Sequence, residues 1–262
     1  MGIPRTFHYI WFGGAPKPQL VLACIDSWRR LMPDWQIREW NESNYDVTKA
    51  AYPREAHEAR KWAFASDYAR FDILRQYGGV YLDTDVELLK AIPDWILEGG
   101  AFTGMDSGGI VNPGQIFGCE PSLPLLTEVL ESYEDTHFVV DGRMNTLTVN
   151  YRITQILERH GLGRTDDLQR VAGLTVYPST YFCGYDMDTH EPNVTELTVS
   201  VHHCAHSWGS PRELFQRRTQ LALRHLIGTS RYRKLLALKR SLLGVRGMQP
   251  RSVPSKRRSG RA

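Results

Sequence analysis

Acidic residues are absent from the end of this 262-residue chain. Residues 217–262 contain 14 Lys and Arg residues, so residues 1–216 carry the other 18 basic residues and all 29 acidic ones. The net charge of +3 therefore combines an acidic body with a basic tail. We expect basic amphipathic helices over residues 211–246 and a disordered basic end over residues 247–262, which are rich in Pro, Ser and Arg.

Long apolar runs are also lacking. No stretch approaches the roughly 20 apolar residues that a membrane-spanning helix requires, and the first residues lack the segments of a secretory signal. The four cysteines show no CxxC spacing, which favours reduced thiols in a cytoplasmic protein over a disulfide scaffold. The chain is 42% hydrophobic, which suffices for one large domain over residues 1–210.

Strand and helix patterns alternate along this domain. The predicted strands are FHYIWF, DWQIREW, VYLDTDVELL, LTVYP and TELTVSVHH. The predicted helices cover residues 19–32, 54–77, 123–134 and 146–160, and Gly78-Gly79 end the second of them. This alternation predicts an α/β fold with a mixed sheet.

Two carboxylates, Asp83 and Asp85, end the strand that follows the glycine pair. Side chains at i and i+2 share a face, so the two converge if the strand continues that far. Converging carboxylates repel each other unless a cation or a proton lies between them. Mg²⁺ or Mn²⁺ bound by carboxylates keeps positions open for phosphates, so we expect a diphosphate ligand. From these residues alone, a pair of solvated acids is the alternative.

A second charged pair lies on the preceding helix. Asp67 and Arg70 are three residues apart and therefore neighbours on one helix face. Because this helix leads directly into the Asp83–Asp85 strand, the pair could face the same cavity, where the forked donors of arginine suit phosphates and sugar hydroxyls. The alternative is a local ion pair that contributes a few tenths of a kcal/mol.

The segments IPRTFHYIWFGG, CIDSWRRLMPDWQIREWNESNYD, AFASDYARFDILRQYGGVYLDTDVELL and VHHCAHSW resemble glycosyltransferase family 32, the DxD-containing sugar transferases of the capsular-polysaccharide and yeast alpha-mannosyltransferase type. The resemblance covers residues 3–210, with S-D-x-x-R and G-G-x-Y-x-D-x-D in the family's order. It implies a GT-A fold, a Rossmann-like sheet that binds a nucleotide-sugar. It also implies transfer with retention to a saccharide or lipid-linked acceptor, in polysaccharide, capsule or glycolipid synthesis.

The resemblance also implies roles for residues on the donor side. Trp11 would stack near the nucleobase, and Tyr81 would line the donor pocket, although buried strand positions are the alternative for both. Asp67 and Arg70 would hold the ribose or the sugar of the donor. Arg70 would then join the two carboxylates of the DxD motif as the catalytic set.

The same resemblance implies a metal site. Asp85 would ligate the metal directly, and Asp83 would contact the ribose or bind the metal through water. His203 and His206 match the positions of a metal ligand and a site-closing polar residue, and Trp208 matches a residue that covers the donor phosphates. Imidazole suits Mn²⁺ better than Mg²⁺, which favours Mn²⁺. Zinc binding by the His/Cys cluster is an alternative, although a second ligand pair is lacking.

The acceptor side is less defined. GMDSGGIVNPGQIFGCE resembles a segment that supplies acceptor-side residues, which makes Asp106 and Asn112 candidates, although loop polarity explains them equally well. Many relatives carry an Asn-Thr-Gly-Pro-like segment where this chain has MNTLTVNYRITQIL. This departure leaves the acceptor open.

Two other function classes stay open. A phosphohydrolase could use Asp83 as nucleophile and Asp85 as acid and base, but Val86-Glu87 fits that class poorly. The second open class is a protein without catalytic activity that binds carbohydrate or a membrane. The basic tail suits an anionic membrane at the cytoplasmic face, where the protein would attach peripherally, or the acidic body itself. Nothing else in the chain supports nucleic acid as a partner.

Overall fold

The computed structural model describes residues 2–186, 191–204, 219 and 222–243. The strands are β1 Thr6–Ile10, β2 Gln36–Trp40, β3 Gly79–Tyr81, β4 Val86–Leu88, β5 Phe102–Gly104, β6 Phe117–Cys119, β7 Val139–Val140, β8 Arg143–Met144, β9 Gln169–Val171, β10 Leu174–Tyr177, β11 Tyr185–Asp186, β12 Glu191–Pro192 and β13 Ser200–His202. The helices are α1 Gln19–Leu31, α2 Ala51–Glu58, α3 Trp62–Tyr77, α4 Asp94–Leu97, α5 Pro124–Glu131, α6 Val149–Arg159, α7 Ser179–Phe182 and α8 Thr229–Leu243, with a 3₁₀ turn at Val47–Lys49.

Seven strands form the central sheet, in the order β2-β1-β3-β6-β5-β10-β9. The pairs β1–β2, β1–β3 and β5–β10 are parallel, whereas β6 and β9 run antiparallel to their neighbours. Five of the seven strands therefore point the same way. This mixed, largely parallel sheet confirms the predicted α/β class.

Apolar side chains cover both faces of the sheet. Along β1, Phe7 and Tyr9 join a cluster with α1, and Ile10 joins a second cluster with α3, α5 and α6. The alternation follows from the pleat of the strand, because successive side chains point to opposite faces. The sheet is thus the middle of three layers.

The strand order reverses at β1, which lies between β2 and β3. In open α/β sheets, ligands bind beyond the carboxyl ends of the strands at such a reversal. The residues that follow these ends include Trp11 after β1 and Asp83 after β3. The topology therefore places both predicted donor-site residues at the edge where a ligand is expected.

The long helix predicted over residues 54–77 is two helices, α2 and α3. Arg60 between them adopts a left-handed backbone with φ of 56°. The Arg60 N–H donates to the His57 carbonyl and the Lys61 N–H to the Ala56 carbonyl, so α2 closes before α3 begins. Apolar periodicity continues across this break and hides it, because an exposed arginine carries no signal for a left-handed turn.

The single strand predicted over VYLDTDVELL is two strands, β3 and β4, joined by a turn. β3 ends at Tyr81, and the chain turns before β4, with the Val86 N–H donating to the Asp83 carbonyl at 3.1 Å. β4 then leaves the central sheet and pairs with β13 in a separate two-stranded sheet. Asp83 and Asp85 therefore lie in a turn between two sheets, and strand alternation is not what brings them together.

The predicted end of α3 at the glycine pair is confirmed. Both glycines have positive φ, and a Cβ on Gly79 would lie 2.8 Å from Nε2 of His8. His8 is buried, with Nε2 3.0 Å from the Gly78 carbonyl and Nδ1 accepting from Nε1 of Trp40 at 3.1 Å. Burial lowers the pKa of His8 to about 4, so the ring is neutral in the folded protein.

Residues 222–227 and α8 are helical and fall within the predicted 211–246 segment. Arg224 and Tyr232 are buried there. The rest of the tail, including residues 247–262, lies outside the described residues, so the domain boundaries stay predictions. In the part of the chain that the structure describes, no helix combines the length and apolarity needed to cross a bilayer.

Candidate functional site

Three side chains converge where the two sheets meet. Asp83, Asp85 and His202 each offer a ligand atom, and these atoms lie within 4.8 Å of one another. Asp83 follows β3 of the central sheet, whereas Asp85 precedes β4 and His202 ends β13. In the β4–β13 ladder, His202 pairs with Val86, which brings its ring beside Asp85, with Nε2 3.2 Å from Oδ1.

The histidine in this cluster is not the one that the sequence predicted. His203 points elsewhere, with Nε2 2.9 Å from Oε2 of Glu87. Adjacent residues of a strand project to opposite faces, so only one of the two can face Asp85. The register between β13 and β4 decides which histidine faces Asp85. The local sequence carries no signal for this register. Metal ligation by His203 stays a prediction.

Arg70 anchors the opposite side of the cluster. Its buried guanidinium donates to Oδ1 of Asp67 at 3.0 Å and lies 3.4 Å from Oδ1 of Asp83. It also lies over the ring of Tyr81, 4.9 Å from the centroid, and the Tyr81 hydroxyl donates to Asp83 at 2.9 Å. The predicted residues Asp67, Arg70, Tyr81 and Asp83 are thus one connected network.

The charges of this network are strongly perturbed. Burial raises the pKa of Asp67 to about 7, although Arg70 opposes the increase. For Arg70, burial alone would lower the pKa, but Asp83 and Asp67 raise it, so the guanidinium stays charged. Perturbed titratable groups at a sheet edge are typical of functional sites.

The residues present fit a divalent cation. Burial would lower the pKa of His202, but Cys204 and Asp85 raise it well above its usual value. The Asp85 carboxylate thus favours a proton on the His202 ring, and a cation that binds through this ring displaces that proton. The side chains of Asp83 and Asp85 are 28% and 17% exposed, so both carboxylates can be reached from solvent. Two carboxylates and an imidazole form a ligand set that Mn²⁺ accepts and that leaves positions open for a substrate.

Trp11 lies at the same sheet edge, above the ends of β1 and β2. Its Nε1 donates to the Ala15 carbonyl at 2.7 Å, and Nζ of Lys17 lies 5.8 Å from its ring centroid. The ring borders a cavity of about 450 Å³ that is also lined by Glu39 and Asn41. Trp11 is partly buried against the core, so packing and ligand contact are both compatible with its position.

The two candidate acceptor residues lie on the loop that leads into β6. Oδ1 of Asp106 accepts from the N–H groups of Gly108 and Ile110, and burial raises its pKa. Asn112 is buried, with Nδ2 3.4 Å from Nδ1 of His202. Asn112 thus contacts the ligand cluster directly. The predicted residues His206 and Trp208 lie outside the described residues.

Residues 18–101, which include Asp67, Arg70 and both DxD carboxylates, match the family model described as glycosyltransferase sugar-binding region containing DXD motif. The predicted resemblance to DxD-containing glycosyltransferases is therefore confirmed over this region. His202 and Asn112 lie beyond the matched residues.

Two relatives match longer stretches of the chain than the family model does. Inositol phosphoceramide mannosyltransferase 1 of Schizosaccharomyces pombe is 27% identical over 141 residues, which are 50% of this chain and 42% of that protein. Human alpha-1,4-N-acetylglucosaminyltransferase is 31% identical over 107 residues, 40% of this chain and 26% of that protein. The matches thus span less than half the length of either relative.

A solved structure with a similar arrangement of elements is the PaToxG glycosyltransferase. It is 16% identical to this chain, with a TM-score of 0.46. The aligned region covers 60% of this chain and 70% of that one. The resemblance to glycosyltransferases therefore rests on the family model and on both relatives.

Proposed function

We propose that this chain is a metal-dependent glycosyltransferase of the GT-A type. It transfers a sugar from a nucleotide-diphosphate-sugar to a saccharide or lipid-linked saccharide. The observation that carries the proposal is the convergence of the DxD carboxylates with His202, beside the buried Arg70, within and next to the region that matches DxD glycosyltransferases. The reversal of strand order at β1 supports a nucleotide site at this edge.

Asp83, Asp85 and His202 would hold the cation, with Mn²⁺ favoured over Mg²⁺ because one ligand is an imidazole. When bound there, the metal neutralises the negative charge that builds on the diphosphate leaving group. Arg70 donates hydrogen bonds to the ribose or the sugar of the donor. Its guanidinium is fixed for this role, because Asp67 and Asp83 hold it and burial keeps water away from it. Because the N–H groups of Arg70 are already oriented, they do not have to reorient during sugar transfer.

The remaining donor contacts follow from the same arrangement. Trp11 stacks on the nucleobase, and the adjacent cavity receives the base and ribose. Tyr81 aligns the Asp83 carboxylate through its hydroxyl, and Trp208 covers the diphosphate. Asp106 lies on the acceptor side, and we propose retention of configuration at the anomeric carbon on the basis of the family resemblance.

The first test is a thermal-shift panel of nucleotide-sugars with and without Mn²⁺, starting with those of mannose and N-acetylglucosamine because of the two relatives' names. A metal-dependent increase in Tm for one compound would identify the donor. Transfer of that sugar, followed by NMR of the anomeric configuration, would then test retention. No shift with any compound in the presence of Mn²⁺ would contradict the proposal.

We also propose that the protein is cytoplasmic and attaches peripherally to an anionic membrane through its tail. Among residues 219–243 there are six Lys and Arg residues and no Asp or Glu. In α8, Leu235 and Leu238 are 44% and 56% exposed. Exposed leucines among basic residues suit the headgroup region of a bilayer that contains acidic lipids, where a lipid-linked acceptor would be available.

Flotation with phosphatidylserine-containing liposomes tests this attachment in the full chain. Replacing Leu235 and Leu238 with Ser is expected to reduce flotation severalfold, because apolar area and charge act together. The matched control replaces Leu20 and Leu22 of α1, which are 37% and 47% exposed on the body of the protein. Equal flotation of the wild type and the α8 variant, or flotation that persists on neutral liposomes, would contradict the proposal.

A further inference from the structure

A short turn beside the ligand cluster contacts Asp83 and His202, which belong to different sheets of the fold. The turn spans residues 112–115 and leads into β6. Oδ1 of the buried Asn112 accepts from the N–H groups of Gly114 and Gln115, at 3.1 and 3.3 Å. These two bonds identify Oδ1, so Nδ2 is the atom that lies 3.4 Å from Nδ1 of His202. A histidine that binds a cation through Nε2 carries its proton on Nδ1, so Asn112 packs against the ligand ring and does not donate a hydrogen bond to it.

The same turn contacts Asp83 through its backbone. The Gly114 carbonyl accepts from the Asp83 N–H at 2.7 Å. A Cβ on Gly114 would overlap Oδ2 of Asp83 and lie 2.9 Å from Nη1 of Arg70. Any side chain at position 114 must therefore displace the carboxylate, the guanidinium or the turn itself.

The sheet topology alone does not set the position of Asp83 relative to His202. Pairing of β4 with β13 sets the position of His202 relative to Asp85, because His202 lies opposite Val86. That ladder does not include Asp83, which belongs to the end of the central sheet. The 112–115 turn accepts a hydrogen bond from Asp83 on one side and packs against the ring of His202 on the other, and so relates the ligands of the two sheets.

We infer that Asn112 and Gly114 are positioning residues that set the separation of Asp83 and His202 for a divalent cation. Asn112 acts through Oδ1, which holds the turn in shape, and through its packing against the His202 ring. Gly114 acts through its carbonyl and its lack of a side chain. The inference rests on the proposed metal site and gives Asn112 a role other than the acceptor contact that the family resemblance implies. Groups that orient metal ligands in this way commonly change metal affinity by about 10–100-fold when they are removed.

The test measures binding of Mn²⁺, in the presence of UDP or GDP, to the full chain by electron paramagnetic resonance of the free ion. We expect N112A to weaken binding by about tenfold and G114A by more, because G114A displaces a ligand directly. The matched control is N44A. Oδ1 of Asn44 likewise accepts from a backbone N–H within a turn, and its Nδ2 donates to the Glu39 carbonyl, but this turn lies in the loop after β2.

A second measurement separates positioning from general loss of structure. The visible spectrum of bound Co²⁺ reports the geometry of the ligands in the folded protein. N112A is therefore expected to change its band positions without urea, at a temperature where the variant is fully folded, whereas N44A leaves them unchanged. If the wild type binds Mn²⁺ and both turn variants bind it equally well, the positioning role is refuted and the proposed metal site stands. If the wild type does not bind the ion, both are refuted.

Discussion

Two of the histidines that the structure describes, His8 and His202, are buried, and their surroundings differ. His8 is 1% exposed and has a backbone carbonyl and an indole N–H as its partners. His202 is 9% exposed and faces the carboxylate of Asp85. Burial shifts the pKa of His8 to about 4, whereas neighbouring groups reverse that effect for His202. Burial with neutral partners thus gives a neutral imidazole that supports the fold. Burial beside a carboxylate gives an imidazole that holds a proton, which a bound cation would displace.

The strongest test of this contrast removes one carboxylate from the ligand cluster. Asp85→Asn is expected to reduce sugar transfer about a thousandfold, because loss of a ligand removes several kcal/mol of transition-state stabilisation. The urea midpoint should change little, since the amide has the same shape and the side chain is partly exposed. Asp94→Asn, on the exposed start of α4, is the matched control. Full activity of Asp85→Asn would refute the proposed role.

The second test concerns His8 and the pH dependence of stability. The unfolded chain binds a proton on this residue near pH 6.5, but the folded chain resists protonation down to about pH 4. The unfolded state therefore binds more protons in this window, and the free energy of unfolding decreases as the pH falls through it. The full contribution is on the order of 3 kcal/mol.

His8→Gln is the appropriate comparison for that measurement. The carboxamide can donate to the Gly78 carbonyl and accept from Trp40, but it does not titrate. Urea unfolding between pH 6.5 and pH 4 should therefore show a shallower loss of stability in the variant. Parallel curves for the two proteins would show that His8 is not the group responsible.

The third and smallest effect distinguishes the two neighbouring histidines. His202→Gln is expected to weaken Mn²⁺ binding about 100-fold, whereas His203→Gln should change it less than about threefold, because His203 faces Glu87. Titration of each variant with Mn²⁺ and a nucleoside diphosphate gives the ranking. The reverse ranking would support the role that the sequence alone suggests for His203.

Much of the fold and part of the site could be predicted from the sequence. Apolar periodicity and the Gly78-Gly79 stop predicted the elements around Asp67, Arg70 and Asp83, since these signals are local. The break at Arg60 was missed because a left-handed arginine has no sequence signature. The role of His202 was missed because it depends on the register between β4 and β13, which are more than 100 residues apart in the chain.

The turn between β3 and β4 has a mechanical consequence. Asp83 follows a strand of the central sheet, and Asp85 precedes a strand of the β4–β13 sheet. A cation bound by both carboxylates and by His202 would therefore link the two sheets. Ion concentration 100 times the Kd would add about 2.7 kcal/mol to the free energy of unfolding. Part of this stabilisation should appear as slower amide hydrogen exchange in β4 and β13, which form a separate two-stranded sheet. The strength of this small sheet would then depend on whether the ion is bound.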